Sequence, residues 1–229
     1  MRPTQSSAEL ELSRIGAVES SSQFGAHTSS HTRGSPEPSC MKRILVLGNA
    51  GSGKSTLARE LAQILSLPLV HLDARFWQPG WRETPRDEWK QRVASILSDD
   101  AWVMDGNYLG TLPERLAAAD AAVLLDISRV RCVFRVVRRG FRDRGKWRAD
   151  MAEGCVEQIP DVSFLQWIWR FPRDDLRPMV DQLQRAAASK RIRVLHSAAE
   201  VRSFLNEVAR EHAGALETSA ATIESPSPT

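Results

Sequence analysis

Eight residues near the start of the first apolar segment restrict the fold of this chain more than any other stretch. They have the form G-x-x-x-x-G-K-[ST], follow the apolar run 44–47, and precede apolar residues at helical spacing that begin at Leu57. A glycine loop between a strand and a helix brings backbone N–H groups and the positive end of the helix onto a phosphate chain. The residues predicted to bind the nucleotide are Gly48, Asn49, Ala50, Gly51, Ser52, Gly53, Lys54, Ser55 and Thr56.

Two side chains at the end of this loop carry the expected chemistry. Lys54 should reach the outer phosphates, and the Ser55 hydroxyl can hold Mg²⁺. A chance Gly/Ser turn before a lysine is the alternative, but the strand and helix patterns on either side disfavour it. The sequence therefore predicts binding of a nucleoside triphosphate, ATP, together with Mg²⁺.

Strand and helix patterns alternate from residue 44 to residue 208. This alternation predicts an α/β P-loop fold with a parallel five-stranded sheet flanked by helices. The predicted strands cover residues 44–47, 67–72, 101–104, 121–127 and 191–196. Right-handed crossovers place the C-terminal ends of parallel strands at one edge. Asp73, Asp105 and Asp126 should therefore emerge near the phosphate loop.

Composition changes at both ends of the chain. Residues 1–40 are rich in Ser, Thr, Gly, Pro and His without apolar periodicity, which predicts a disordered, dispensable extension before Met41. Residues 41–213 form the predicted P-loop kinase-like domain, and residues 214–229 a disordered tail. The three cysteines have no metal-like spacing, and no apolar run reaches the roughly 18 residues of a membrane span. We expect a cytoplasmic protein without membrane contact.

The three acids that follow strands have two interpretations. Any of them could hold Mg²⁺ through water or accept a proton from a substrate hydroxyl. The alternative is that they cap helices or loops. Asp126 is the weakest candidate, because Ser128 could cap the helix that follows.

A strongly basic stretch lies between residues 129 and 148. It holds nine Lys or Arg and one acid, Asp143; the basic residues are Arg129, Arg131, Arg135, Arg138, Arg139, Arg142, Arg144, Lys146 and Arg148. A mobile lid over the phosphates would use arginines to stabilise the transferring phosphoryl group. A solvated basic face or a nucleic-acid surface is the alternative. Gly140 and Gly145 favour the lid, because glycines suit a segment that opens and closes.

Aromatic residues and helix ends give further expectations. Trp77 and Trp81 flank a Pro-Gly turn and could wall a substrate pocket or pack as a surface loop. Core positions are predicted for Trp89, Trp102, Trp169 and for the stripe Val130, Val133, Phe134 and Val137. Helices should begin at the caps Thr84, Thr111, Asp161 and Ser197, and the helix after Asp161 should end at Pro172.

Several stretches resemble the bacterial P-loop proteins called DNA topology modulation proteins, which are similar to adenylate kinases. These stretches are His-Leu-Asp at 71–73, Phe-Trp at 76–77, Pro-Gly-Trp at 79–81, Asp-Gly-Asn-Tyr at 105–108 and Trp-Ile-Trp-Arg-Phe-Pro at 167–172. Together with the phosphate loop they span about residues 41–205. The resemblance implies a nucleoside-monophosphate-kinase-like fold with an arginine-rich lid.

The resemblance also implies an activity and roles for residues. It implies phosphoryl transfer from ATP–Mg²⁺ to a small hydroxylated or phosphorylated acceptor, with Asp105 and Ser55 serving the metal. Asp73 resembles the acid near the acceptor hydroxyl in shikimate and uridine kinases, and Arg138 and Arg139 resemble lid arginines. The predicted catalytic residues are Lys54, Asp73, Arg138 and Arg139, and the predicted substrate-binding residues are Asp73, Arg75, Trp77, Asn107 and Tyr108.

One departure from the adenylate kinase pattern bears on the acceptor. That pattern reads Asp-Gly-Phe-Pro-Arg, whereas residues 105–109 read Asp-Gly-Asn-Tyr-Leu and lack the nucleotide-contacting arginine. A nucleoside monophosphate acceptor is therefore disfavoured. The alternative functions are an NTP-dependent, nucleic-acid-associated regulatory protein, although no nucleic-acid module is present in the sequence, and a simple NTPase.

Overall fold

The computed structural model describes residues 41–223, with the side chains of residues 41–217. The predicted extension 1–40 and residues 224–229 lie outside the described residues. The chain forms a five-stranded sheet and a two-stranded hairpin. The strands are β1 (Arg43–Gly48), β2 (Leu69–His71), β3 (Trp77–Gln78), β4 (Arg82–Glu83), β5 (Trp102–Asp105), β6 (Ala121–Leu125) and β7 (Arg191–Leu195).

The main sheet confirms the predicted α/β architecture. Its strand order is β2-β5-β1-β6-β7, and every neighbouring pair is parallel. Parallel neighbours need crossover connections, which the helices supply. The helices are α1 (Lys54–Leu65), α2 (Leu72–Phe76), α3 (Arg86–Leu97), α4 (Leu112–Ala118), α5 (Arg129–Arg142), α6 (Val162–Asp174), α7 (Leu176–Ala186) and α8 (Ala198–Ile223). None of these helices is long and apolar enough to cross a bilayer.

Apolar clusters cover both faces of the sheet. Along β1, Leu45 and Leu47 join one cluster, whereas Ile44 and Val46 join the other. This alternation is the period-2 geometry of a strand buried on both sides. The phosphate loop therefore leaves the sheet from a strand that is buried from Ile44 to Gly48.

Two of the predicted helix caps are used differently. The Thr84 hydroxyl donates to the carbonyl oxygen of Phe76, and α3 begins only at Arg86. The Thr111 hydroxyl donates to the carbonyl oxygen of Tyr108 at 3.2 Å and caps no helix. Both hydroxyls fasten the preceding loop instead of the following helix. The caps at Asp161 and Ser197 are confirmed by hydrogen bonds from the N–H groups of Phe164 and Glu200.

Helix α5 buries only part of the stripe that the sequence predicted. Val133 packs against the apolar core and Val137 is half-buried, but Val130 and Phe134 are 60% and 65% exposed, and the fully buried residues are Cys132 and Val136. The helix packs on the phosphate loop, where a Cβ on Gly51 would lie 2.6 Å from the carbonyl oxygen of Cys132. This close approach turns the side of the helix that carries Cys132 and Val136 towards the loop.

Three further expectations differ from the structure. Trp89 and Trp102 are buried as predicted, but Trp169 is 47% exposed. The Arg129 Cζ lies 4.2 Å from the centroid of the Trp169 ring, in a cation–π contact. Pro172 lies inside α6, which ends only at Asp174. Helix α8 runs to Ile223, past the domain boundary expected at residue 213.

Candidate active site

The phosphate loop forms an open cradle at the start of α1. Gly53 is the N-cap in a left-handed conformation (φ 108°), and no side chain caps the helix. The first-turn N–H groups of a helix lack partners within it and carry partial positive charge. An uncapped helix end behind a glycine loop is suited to bind phosphate oxygens.

Neighbouring elements hold the cradle in place. The Asn107 side chain donates to the carbonyl oxygen of Gly48 at 2.8 Å and accepts from the Gly48 N–H at 3.0 Å. Asn49 donates to the carbonyl oxygen of Ile168 at 2.9 Å, and Arg135 donates to those of Gly51 and Ser52 at 3.3 and 3.0 Å. Asn107, predicted to bind substrate, lines the cleft, and its amide also holds the loop.

Two buried polar atoms of the loop have no hydrogen-bond partner in the described part of the chain. They are the Asn49 side-chain oxygen and the Ser52 hydroxyl. Buried polar atoms are almost always satisfied in folded proteins. An unpaired hydroxyl in the loop fits a site completed by a polar ligand such as a phosphate chain.

Lys54 lies at the centre of the site. Its ammonium group donates to the carbonyl oxygen of Asn49 at 2.9 Å. Burial lowers the pKa of Lys54, although the carboxylates of Asp73 and Asp105 act in the opposite direction. The two acids therefore lie close enough to Lys54 to interact with it electrostatically.

Asp73 follows β2 in the first turn of α2 and meets Tyr108. The Tyr108 hydroxyl donates to the Asp73 carboxylate at 2.6 Å. Although water in the cleft reaches Asp73, protein surrounds most of the carboxyl, and this partial desolvation raises its pKa. The charges of Asp105 and Asp150 add to the increase, whereas Tyr108 and Lys54 oppose it.

Asp105 ends β5 and pairs with a residue that the sequence analysis did not select. Nδ1 of His71 lies 2.5 Å from Oδ1 of Asp105. Within the described residues no hydrogen bond reaches the other oxygen of Asp105, which points to a group available for a ligand. Asp126 contacts His196 at 3.4 Å. Neither Asp105 nor Asp126 lines the cleft described below, whereas Asp73 does.

The basic stretch forms the whole of α5 and the start of the loop 143–161, here called the covering loop, which lines the cleft. Arg139 donates to the buried carboxylate of Glu157 at 2.8 Å, and Arg148 bridges Glu157 and Asp150. Arg138 is exposed, lines the cleft, and makes no hydrogen bond or ion pair within the described chain. Arg142 and Lys146 contact Asp143 instead.

The two glycines expected to act as hinges differ in setting. Gly140 lies inside α5, where a Cβ would come 2.6 Å from Pro160 and 2.9 Å from the carbonyl oxygen of Gln158. Close packing therefore explains this glycine without any hinge. Gly145 has a positive φ of 75° and open space around it, which suits a turn in the covering loop.

One cleft of about 1510 Å³ joins these groups. Its lining includes the phosphate loop, Asp73 and Tyr108, and the lid residues Arg138 and Arg139. Trp77 and Trp81 also line it, but Arg75, predicted to bind substrate, does not. The cleft therefore brings together the predicted catalytic residues and most of the predicted substrate-binding ones.

The oxygen donors near Ser55 fit Mg²⁺ in chemical type. The Ser55 hydroxyl lies near the Asp150 carboxylate, and Asp105, which does not line the cleft, is close enough to Lys54 to act on its pKa. In the described chain no group of three or more His, Cys, Asp or Glu is arranged to hold a metal. Phosphate oxygens and water would therefore have to complete the coordination shell, as Mg²⁺ at nucleotide sites usually requires.

The sequence did not predict the part that Arg115 plays in holding the site together. Arg115 is fully buried and donates to the carbonyl oxygens of Gly106, Asn107 and Tyr108. Burial lowers its pKa to about 9. This side chain fixes the loop from which Asn107 reaches the phosphate loop. Nothing in the local sequence around Arg115 distinguishes it from a surface arginine.

No protein-family model matches the chain, and no curated protein shows significant sequence similarity. Its structure is similar to a gluconokinase from Sinorhizobium meliloti 1021, with 18% identity, coverage of 79% of this chain and 97% of that chain, and a TM-score of 0.42. It is also similar to a shikimate kinase from Acinetobacter baumannii in complex with shikimate, with 17% identity, coverage of 73% and 90%, and a TM-score of 0.48. At these values the likeness by itself assigns neither a family nor a substrate. The resemblance to DNA topology modulation proteins rests on the residue motifs alone.

Proposed function

We propose that this protein is an ATP-dependent phosphotransferase that moves the terminal phosphoryl group of ATP to a hydroxyl group of a small molecule. The observation that carries the proposal is the shared cleft. The cleft is lined by the phosphate loop, whose helix has no side-chain cap, by the Asp73 carboxyl group, and by Arg138 and Arg139. A carboxyl group in the same cleft as the phosphate loop supplies a proton acceptor for a hydroxyl group, which a protein that only binds nucleotide does not need.

The donor side is built to stabilise phosphate charge. Lys54 and the N–H groups at the start of α1 would bind the outer phosphates. Arg138 and Arg139 would contact the phosphoryl oxygens as charge develops on them during transfer. Ser55 and Asp105 would hold the Mg²⁺ that binds together with ATP, and this ion would neutralise part of the phosphate charge.

On the acceptor side Asp73 would accept the proton of the attacking hydroxyl group. The acceptor oxygen forms a bond to the terminal phosphorus, the bond between that phosphorus and the bridging oxygen breaks, and ADP leaves. The raised pKa of Asp73 makes its carboxylate a better proton acceptor near neutral pH than an exposed aspartate. Tyr108 orients the carboxylate through its hydrogen bond.

The decisive experiment removes the ammonium group of Lys54. Lys54→Ala should lower ATP turnover by about 100-fold or more, because the charge on the outer phosphates is lost. The free energy of unfolding should stay within about 1 kcal/mol of the parent. Lys90→Ala, on the exposed side of α3, is the matched control and should change neither quantity. Unchanged turnover in Lys54→Ala would refute the proposal.

The second candidate function is an NTP-dependent protein that binds nucleic acid through residues 129–148. The exposed side chains of Phe134 and Phe141 beside arginines of α5 favour it, since aromatic and basic groups together bind single strands. The two functions differ in which basic residues matter. Arg138→Ala with Arg139→Ala should lower turnover by roughly 10³ if they act on the phosphoryl group. For nucleic-acid binding, Arg142→Ala should weaken affinity as much as Arg138→Ala and reduce the salt slope by about one, with turnover unchanged.

A further inference from the structure

A buried carboxylate in the covering loop has no part in the chemistry derived above. The Glu157 side chain is only 8% exposed. Nε of Arg139, on α5, donates to its Oε1 at 2.8 Å, and Nη1 of Arg148, in the covering loop, donates to its Oε2 at 2.8 Å. Carboxylates are almost never buried unless they are paired in this way. Glu157 therefore joins the end of α5 to the covering loop, and all three residues line the cleft.

The position of this carboxylate is fixed by its own backbone and by its second partner. The Glu157 N–H donates to the carbonyl oxygen of Lys146 at 2.9 Å, and the Gly145 N–H donates to the carbonyl oxygen of Glu157 at 2.9 Å. Arg148 is held in turn by Asp150, whose oxygens accept from its Nε at 2.9 Å and from its Nη2. Backbone hydrogen bonds and a second ion pair thus anchor the carboxylate that Arg139 contacts.

The contact with Glu157 leaves the outer end of Arg139 available to a ligand. Arg139 donates to Glu157 through Nε, and within residues 41–217 neither of its terminal nitrogens makes a hydrogen bond. Arg139 lines the cleft together with Lys54. Burial lowers the pKa of Lys54 most, and the positive charge of Arg139 lowers it further, so the guanidinium lies near the ammonium group. The free N–H groups of Arg139 are therefore close to the predicted position of the outer phosphates.

We propose that Glu157 is a positioning residue for phosphoryl transfer, which anchors Arg139 by Nε and so presents its two terminal NH₂ groups to the phosphoryl group. This inference rests on the proposed function. A guanidinium group is planar, so fixing Nε restricts both terminal nitrogens and removes side-chain freedom before the nucleotide binds. The opposite interpretation is that Glu157 withholds Arg139 from the phosphates, and it predicts that loss of the carboxylate raises activity.

The test replaces the carboxylate by an amide and measures ADP release from ATP and Mg²⁺ by the full-length protein, with water as the acceptor. A glutamine cannot accept from both guanidinium groups, because its NH₂ group is a donor. Glu157→Gln should lower kcat by about 10- to 100-fold, because Arg139 is no longer held in place. The KM for ATP should stay within about threefold, since the phosphate loop and Lys54 still bind the nucleotide. Glu153→Gln is the matched control, at an exposed position of the covering loop that does not line the cleft, and it should change neither quantity.

A double-mutant cycle separates positioning of Arg139 from a general role in holding the covering loop. Arg139→Ala and the double variant with Glu157→Gln should have the same kcat within about twofold, because Glu157 acts only through Arg139. A residue that merely stabilises the loop would lower kcat further in the Arg139→Ala background. Glu157→Asp keeps the charge but is one methylene shorter, so it should retain more turnover than Glu157→Gln. If Glu157→Gln does not fold, Glu157→Asp takes its place in the cycle.

Outcomes separate this inference from the proposed function. A kcat for Glu157→Gln equal to or above that of the parent, while Lys54→Ala lowers turnover, overturns the inference and leaves a phosphotransferase. Independent effects of Glu157→Gln and Arg139→Ala on kcat overturn it as well. Absence of ADP release by the parent, or unchanged release by Lys54→Ala, overturns the proposed function and this inference with it.

Discussion

The buried guanidinium of Arg115 offers a sharp test of how the site is held together. It donates to the carbonyl oxygens of Gly106 at 2.9 Å and Tyr108 at 3.0 Å, to that of Asn107, and to the Thr111 hydroxyl at 3.3 Å. Tyr108 has a left-handed backbone conformation (φ 36°), which costs free energy for a residue other than glycine. Arg115 thus stabilises a strained loop that the phosphate loop depends on.

The effect of Arg115→Met follows from these contacts. Each acceptor left unpaired costs about 1–3 kcal/mol, and two of the three carbonyls lie near the cleft, where water can replace part of the loss. Leaving the three carbonyl oxygens unpaired should lower the free energy of unfolding by about 4 kcal/mol. Because the variant no longer buries a charge, about 1 kcal/mol of this loss is offset. We expect a net loss of about 3 kcal/mol in the free energy of unfolding. For a domain of this size that loss lowers Tm by roughly 6–12 °C.

Denaturant unfolding of Arg115→Met measures this loss directly. Arg177→Met, at an exposed position on α7, is the matched control and should change stability by less than about 0.5 kcal/mol. Arg115→Lys keeps the charge but loses the planar fork of donors, so its loss should be intermediate. If Arg115→Met unfolds at the parent's denaturant midpoint, the carbonyl contacts do not hold the loop and the account of the site is wrong.

Three further predictions concern the loop, the covering segment and the chain ends. Asn107→Leu should weaken ATP binding by about tenfold in calorimetry, because Gly48 loses both hydrogen bonds, whereas Asn206→Leu on α8 should leave it unchanged. Burial opposes ionisation of Asp150, yet Arg148 and Ser55 lower its pKa to about 2 from the ordinary 3.8. The folded-state pKa is depressed, so about 2 kcal/mol of stability should be present above pH 4 and lost as pH falls towards 2, and Asp150→Asn should lack this loss in acid titrations. A chain of residues 41–223 should bind ATP with the affinity of the full chain and unfold within about 2 °C of it, because the described core lies inside it; a larger drop in Tm would contradict this.

The sheet and the phosphate loop were predictable because their signals are local. An apolar run, a glycine motif and a helical stripe each need only a few neighbouring residues to be recognised. The edge at which Asp73 and Asp105 meet followed from the handedness of crossovers, which is nearly invariant. All five predicted strands are present in the main sheet.

Helix α5 shows where such signals fail. The predicted stripe was Val130, Val133, Phe134 and Val137, but Cys132 and Val136 also recur at helical spacing, and periodicity cannot rank the two sets. Contact with Gly51 buries Cys132 and Val136, and Val133 of the predicted stripe packs against the core. The same limit applies to Arg115 and to the pairs that Arg139 and Arg148 form with Glu157, because those partners meet only after the chain has folded.

Basic and acidic groups share one cleft, and this connects the fold to the proposed chemistry. The phosphate loop supplies N–H groups, α5 supplies Arg138 and Arg139, and Asp73, just after β2, supplies a carboxyl group. Lys54 interacts electrostatically with Asp73 and also with Asp105, which ends β5 and does not line the cleft. Under the proposed function, the phosphate chain would bind the N–H groups and the cations, and Asp73 would accept the proton of the acceptor hydroxyl group.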